Sequence, residues 1–261
     1  GEYGEAEKLI ERALKSERVV LGPDHPETLY SMNNLGNTYR AQGKNARAAA
    51  LYKETLEGRR RVLGPEHPDT LTSTNNLANV YWSEGKYAEA ADLYSRTLEV
   101  QRRLLGPEHP DTLLSMANLA DTLGRQGEWI KAEGLFKATL EIQRRVLGAE
   151  HPRTLDTTAD FAAMYQRQGK PALAEPLAAQ LRAGRGHALG AQHPETMIAA
   201  ADLAQAWLAL GRFRESEHLA RELTGVLQSL RKMRLAKHPG VAESLDAAAA
   251  LVALHADHLD D

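Results

Sequence analysis

An all-α solenoid of stacked antiparallel helix pairs is the fold the sequence predicts, and three observations carry that expectation. LGPDHPETL beginning at Leu21 returns as LGPEHPDTL at Leu63 and Leu105, LGAEHPRTL at Leu147 and LGAQHPETM at Leu189, a period of 42 residues. Within each period apolar residues fall twice at helical spacing, and glycine and proline punctuate the two runs at fixed places. A unit this short cannot bury its own hydrophobic face, so copies in register imply units stacked in a line, each completing its neighbour's core.

The first element is a second helix without its partner. Gly1, Tyr3 and Ala6 align with Gly85, Tyr87 and Ala90, so 1–22 reads as a partial repeat cut from a longer protein. Its helix is expected to expose some of Leu9, Ile10 and Ala13. Full repeats then follow at 23–64, 65–106, 107–148, 149–190 and 191–237, with the array ending at 239. Residues 65–106 show the pattern. Pro68 suits a helix start, because its φ is helical and its missing N–H would lack a partner there anyway, and Asp69 favours the positive helix end. Leu71, Thr74, Leu77, Ala78 and Tyr81 make one face, and Gly85 closes this helix A. Tyr87, Ala90, Ala91, Tyr94, Leu98, Gln101 and Leu105 make helix B, which Gly106 and Pro107 stop. Cations in its last turn, Arg102 and Arg103 here and Arg59 to Arg61 and Arg144 to Arg145 in neighbours, complement the helix dipole and read as a solvated face.

Two places depart from the pattern. In 149–190, Pro176 lies five residues inside a helix that Pro171 could start, with Gly184 and Gly186 beyond; an interior proline costs about 3 kcal/mol and a glycine about 1 relative to alanine. That helix is therefore expected to be weakened, kinked or late to start, by drift on the outer face or as a hinge. The fifth helix B runs through Ala220, Leu223, Leu227 and Leu230. His238 and Pro239 then arrive 45 residues after His193 and Pro194, and 240–261 reads as an alanine-rich capping helix. Arg231, Lys232, Arg234 and Lys237 read as a soluble helix end, with attraction for an acidic partner as the alternative.

Composition narrows the function. Net charge −3 and a pI near 6.4 disfavour a nucleic-acid binder, no cysteine means no disulfide or thiol chemistry, and nothing approaches the roughly 20 apolar residues of a membrane span. The opening residues lack the layout of a signal peptide, and a cytoplasmic protein is expected. Of ten histidines, His25, His67, His109, His151 and His193 recur once per repeat, about 8–10 Å apart if the helices pack normally. Ligands of one metal ion converge at about 2 Å from it, so these read as histidines that order the turn by capping or packing. His255 and His258 lack a third ligand. Asp156 and Asp160 share a helix face without an acid/base partner, and no phosphate loop, nucleophile elbow or H-E-x-x-H is present. The expectation is no enzyme, no metal and no cofactor.

Leu77, Ala78, Tyr81, Gly85, Tyr87, Ala90, Tyr94 and Leu98 resemble the tetratricopeptide consensus, as do Leu35, Gly36, Tyr39, Gly43, Ala48, Tyr52 and Leu56, and Leu119, Ala120, Gly127, Trp129, Ala132, Phe136 and Leu140. The 42-residue period with LGPEHPDTL and NNLA is similar to the kinesin light chain and nephrocystin-like branch, and such arrays also stand behind signalling NTPase modules. The resemblance implies a right-handed superhelix whose A helices line a concave groove. Counting from the Leu-Gly/Ala pair, groove positions include Tyr30, Asn33, Asn34, Asn37 and Arg40; Thr72, Asn75, Asn76, Asn79, Trp82 and Ser83; Leu114, Asn118, Asp121 and Arg125. The later repeats add Asp156, Asp160, Gln166 and Arg167, then Ile198, Asp202, Gln205 and Leu208.

Asn34, Asn76, Asn118, Asp160 and Asp202 form a ladder, one rung per repeat. A carboxamide donates and accepts, which suits an extended peptide backbone, and rungs roughly 10 Å apart would meet about every third residue at ~3.3 Å per residue. The resemblance gives this role to Asn34, Asn76 and Asn118; the alternative is that they satisfy groups between repeats. Trp82, about a quarter turn from Tyr81, is either a binding anchor or a contact to the next helix A. Asp121, Asp156, Asp160 and Asp202 turn the later groove acidic, relieved by Arg125 and Arg167, which predicts a neutral or partly basic ligand. The expected function is a non-enzymatic scaffold binding an extended peptide or partner helix in the groove, as a monomer or a weak homodimer through the first helix. The alternative is a structural or regulatory arm of a larger signalling protein, such as a signalling NTPase, that packs intramolecularly or self-associates.

Overall fold

The computed structural model describes residues 2–232, with side chains described from 7 to 226. The capping segment 240–261, the His238-Pro239 pair, the His255/His258 pair and the basic cluster at Arg231, Lys232, Arg234 and Lys237 lie outside the described side chains. All described regular structure is helical: α1 (Glu2–Val20), α2 (Pro26–Ala41), α3 (Asn45–Val62), α4 (Pro68–Ser83), α5 (Tyr87–Leu104), α6 (Pro110–Arg125), α7 (Trp129–Val146), α8 (Pro152–Arg167), α9 (Pro171–Leu189), α10 (Pro194–Ala209) and α11 (Phe213–Lys232). The even-numbered helices are the A helices, and the pairs stack antiparallel in the manner of a tetratricopeptide-type α-solenoid.

The recurrent nonapeptide is a turn that starts an A helix. In α4 the His67 side chain is the N-cap, its Nδ1 accepting the Asp69 N–H at 3.2 Å, and Pro68 follows at the first helical position. His25, His109, His151 and His193 do the same for Glu27, Asp111, Arg153 and Glu195. Nδ1 must be unprotonated to accept, so these histidines cap helices as the sequence suggests. The Thr70 hydroxyl bonds back to the Gly64 carbonyl at 2.8 Å, and Gly64 takes the left-handed φ of 89° that lets the chain leave α3 and turn into α4. Gly85, at φ 75°, makes the reverse turn, with the Lys86 N–H closing on the Tyr81 carbonyl at 2.8 Å.

The chain forms two compact units, one ending at Leu135 and one beginning at Phe136. In the first, each helix from α1 to α6 packs on the next, around a core of Leu14, Leu29, Met32, Leu35, Tyr52, Leu56, Leu77 and Val80. Close approach within the α2/α3 pair depends on Gly36, where an added Cβ would stand 2.7 Å from the Tyr52 ring. On α1, Leu9 and Ala13 are exposed while Ile10 packs on the core.

In the second unit α8, α9, α10 and α11 pack in succession, and Met197, Ala200, Leu203, Ala204, Leu219 and Leu223 are buried together. Here α9 corrects the expectation of a late start: it begins at Pro171 and runs unbroken through Pro176. Pro176 forfeits a backbone bond only in the second turn, while Ala174, Ala178 and Leu181 are buried on the same helix and hold it in place. Gly184, read as a weakness, receives Leu155, whose Cδ2 lies 2.7 Å from where a Cβ would stand. The solvated reading of the last-turn arginines also fails at one position. Arg60, Arg61, Arg102 and Arg103 are exposed, but Arg59 is only 6% exposed, because it reaches from α3 to the start of α4.

Candidate functional site

Six predicted groove residues meet at one cavity of the first unit. Between α4, the end of α5 and α6 lies a space of about 440 Å³, and Asn76, Asn79 and Asn118 line it with Thr72, Asn75, Leu71 and Leu114. The last turn of α5 adds Gln101, Leu104 and Leu105, and the turn into α6 adds His109 and Asp111. Leu104, Leu105 and Leu114 are 49%, 40% and 44% exposed, so an apolar floor lies beside a row of carboxamides.

The asparagines are already partly engaged. Asn76 donates from Nδ2 to Asn33 Oδ1 at 3.0 Å, linking α4 to α2, and Asn75 donates to Ser115 Oγ at 3.2 Å, linking α4 to α6. Asn37 accepts the Tyr52 hydroxyl at 2.6 Å and Asn79 accepts that of Tyr94, each tying an A helix to its own B helix. Burial raises the pKa of both phenols, keeping them protonated as donors. Asn34 is half-buried, and its carbonyl accepts the Thr38 hydroxyl. Thus at Asn76 the column supplies links between repeats, and ligand contacts would use the remaining valences of these amides.

Trp82 is not part of that lining and is held against α6 instead. Its indole N–H donates to Asp121 Oδ2 at 2.8 Å, the Arg125 guanidinium sits 4.7 Å from the ring centroid, and the Tyr87 ring meets it edge-on at 6.5 Å. Arg125 closes the group by pairing with Asp121 at 3.5 Å. The N–H and one approach to the ring are therefore used within the chain, and Trp82 fixes α4 against α6. Asp121 is buried beneath these contacts, so it adds little negative charge to the surface.

The acidic reading of the later repeats softens in the same way within the second unit. Asp160 and Arg167 are exposed on α8. Asp156 lies 3.5 Å from Arg185; burial raises its pKa while that guanidinium opposes the rise. Burial pushes Asp202 up to about 6, again against Arg185. Of the four acids, Asp202 therefore carries somewhat less charge near neutrality than its residue type implies.

Gln101, Leu104, Leu105 and Asp111 were not among the expected groove residues. Gln101, Leu104 and Leu105 belong to the end of a B helix and the residue after it, and Asp111 to the first turn of α6, ahead of the A-helix positions that the groove expectation takes in. A usable signal existed in one column: Arg59, Gln101, Gln143 and Arg185 occupy one register position, and the side chain shortens in the two middle copies. Among the described residues no group of three or more His, Asp or Glu is placed to hold a metal ion, and no helix is long and apolar enough to cross a membrane.

Comparison with known proteins agrees with this architecture. Tetratricopeptide-repeat family models match residues 50–102, 73–142 and 116–185, more than half of the chain, and a second model of the same description matches 1–27 and 28–69. A candidate kinesin light chain of Podosopora anserina with nearly identical TPR-like repeats is 28% identical, covering 80% of this chain and 99% of its own, with a TM-score of 0.68. BtubC (BKLC) of P. vanneervenii is similar in fold at 20% identity and TM-score 0.74, over 92% and 94% of the two chains. The Signal Transduction ATPase with Numerous Domains of Pyrococcus horikoshii, which has a tetratricopeptide repeat sensor, matches at 15% identity and TM-score 0.70, over 97% of this chain and 36% of that one. No curated protein sequence matches significantly. The repeat register, the helix pairs and these matches together establish that the chain belongs to the tetratricopeptide-repeat family.

Proposed function

We propose that the chain is a non-enzymatic interaction scaffold that holds an extended segment of a partner polypeptide along the A helices of its first unit. Tetratricopeptide folds generally serve as protein–protein interaction scaffolds, and the observation that carries the finer reading is the cavity between α4 and α6. It sets Asn75, Asn76, Asn79 and Asn118 beside exposed Leu104, Leu105 and Leu114, joining polar groups that can orient a backbone to an apolar floor that can bury a side chain. A ligand selected from a random peptide library on the full chain tests it. Leu114→Glu, at an exposed position, should weaken that ligand at least tenfold with the melting temperature unchanged, since a carboxylate on the floor would be desolvated by binding. Undiminished binding would refute the site.

A second reading is favoured by α1, where Leu9, Val19 and Val20 are 65%, 81% and 78% exposed. Here the chain is an arm that packs on a neighbouring domain of a larger signalling protein, or on a second copy. Light scattering on the same samples tests the second-copy form of this reading, which expects self-association that Leu9→Glu abolishes while the selected ligand still binds.

A further inference from the structure

We infer that the cavity between α4 and α6 takes the side chain of an arginine from the partner segment, an assignment that rests on the groove reading above. The chain shows how it binds a guanidinium at this register. Arg59, the last-turn residue of α3, donates from Nη1 to the Asp69 carbonyl and to Ser73 Oγ, both at 2.8 Å. Arg185, three repeats on, donates to the Glu195 carbonyl at 3.3 Å and pairs with the Glu195 carboxylate at 3.4 Å and with Asp156 at 3.5 Å.

Between them the register positions are Gln101 and Gln143, and around Gln101 part of the guanidinium-binding set is kept, with a threonine hydroxyl where Arg185 has the Asp156 carboxylate. Asp111 stands in the register of Asp69 and Glu195, Ser115 in that of Ser73, and Thr72 in that of Asp156. Gln101 is 4% exposed, and its Oε1 has no donor; Asn75 Oδ1 beside it has none either. A half-turn of the terminal carboxamide torsion presents such an oxygen to the cavity at small cost. Glu66 and Asp111 bring two carboxylates to the lining, against no lysine or arginine, although Arg103 pairs with Glu66 from outside it. Leu104, Leu105 and Leu114 suit the three-methylene stem of an arginine, whose planar fork of donors fits several acceptors at once. The smaller cavity of about 310 Å³ one repeat earlier is lined by Arg59 itself, so there the chain supplies its own guanidinium.

The test titrates the full chain with capped pentapeptides, alanine throughout except for a central arginine, lysine or citrulline, and follows the side-chain amide signals of Gln101, Asn75, Asn76 and Asn118. The arginine peptide should shift these signals at about millimolar concentration, with citrulline, an uncharged isostere, at least tenfold weaker. Gln101→Arg should weaken the arginine peptide about tenfold or more, because the variant's own guanidinium enters the site as Arg59 does. Gln101→Met, which keeps the volume and removes the acceptor, should erase the preference for arginine over citrulline. Equal response to arginine and citrulline with shifts at Asn76 and Asn118 would overturn the arginine assignment and leave the groove reading standing. Full binding by both variants would do the same. No shift from any of the three peptides would overturn the arginine assignment, and the groove reading is then judged separately by the Leu114→Glu test on a selected ligand.

Discussion

The turns that end α3 and α5 occupy the same place in consecutive repeats and are built differently. At the end of α3, Gly58 and Arg59 stand together: Leu29 presses into the glycine, and the arginine reaches across to the start of α4. At the end of α5 the same two positions are Val100 and Gln101; the valine fills its own space, and the shorter glutamine leaves an opening toward α6. The pairing recurs down the chain, with Ile142 and Gln143 in one later copy and Gly184 and Arg185 in another, where Leu155 again presses into the glycine. Two adjacent residues therefore vary as a unit. Sterics at the first and hydrogen bonding at the second set how much of the space between successive A helices the chain itself fills.

Swapping one half of the pair should break it. Gly58→Val places a Cβ 2.5 Å from Leu29 Cδ2 and 3.1 Å from Asp24, and this overpacking should outweigh the gain from removing a helical glycine, for a net loss of about 2–3 kcal/mol. A urea midpoint equal to or above the parent's would show that the glycine is not needed for close approach. Arg59→Gln should cost less, about 1–2 kcal/mol, because it gives up two charge-assisted bonds and keeps most of the stem. The sharper test is the double variant: if the positions act as a unit, Gly58→Val with Arg59→Gln costs measurably less than the two singles summed. Strict additivity would sink that reading.

Much of this fold was legible because its punctuation is covalent and local. Pro68 and Gly85 mark the bounds of α4 through properties they carry alone, and His67 could be read as a cap from its place before the proline. Trp82 illustrates what was not legible. Its position on α4 was clear, but its engagement by Asp121 depends on which residue α6 presents opposite, a distance of 39 residues in sequence. Arg59 and Arg103 look alike in sequence as last-turn cations, yet one is buried and the other pairs with Glu66 at the surface. Arg103 stands in the register of Arg61, two positions and more than half a turn from that of Arg59, which faces the next repeat. Likewise a helical glycine reads as a cost by propensity alone, and Gly184 becomes a requirement only when Leu155 is brought against it.

The Arg185 copy allows a smaller, electrostatic test, because three carboxyls, Asp156, Glu195 and Asp202, share its surroundings. Burial pushes Asp202 up to about 6, above the roughly 3.9 of an unfolded chain, and Arg185 works against that shift. Folding therefore favours the protonated acid. Its contribution is fully present below about pH 4 and is lost as pH rises through 6, so the ionised carboxylate costs about 1 kcal/mol at pH 7 after allowing for its partial exposure. Asp202→Asn should recover that amount at neutral pH and change stability little at pH 4, read as the difference between variant and parent urea midpoints. Arg185→Gln, which imports the middle-repeat residue, removes the opposing charge and should move the carboxyl's titration upward, visible in its side-chain carbon resonance. If the titration stays at 6 or falls, the arginine of this pair bridges helices by hydrogen bonding alone, and the difference between the two kinds of turn is one of shape and bonding rather than of charge.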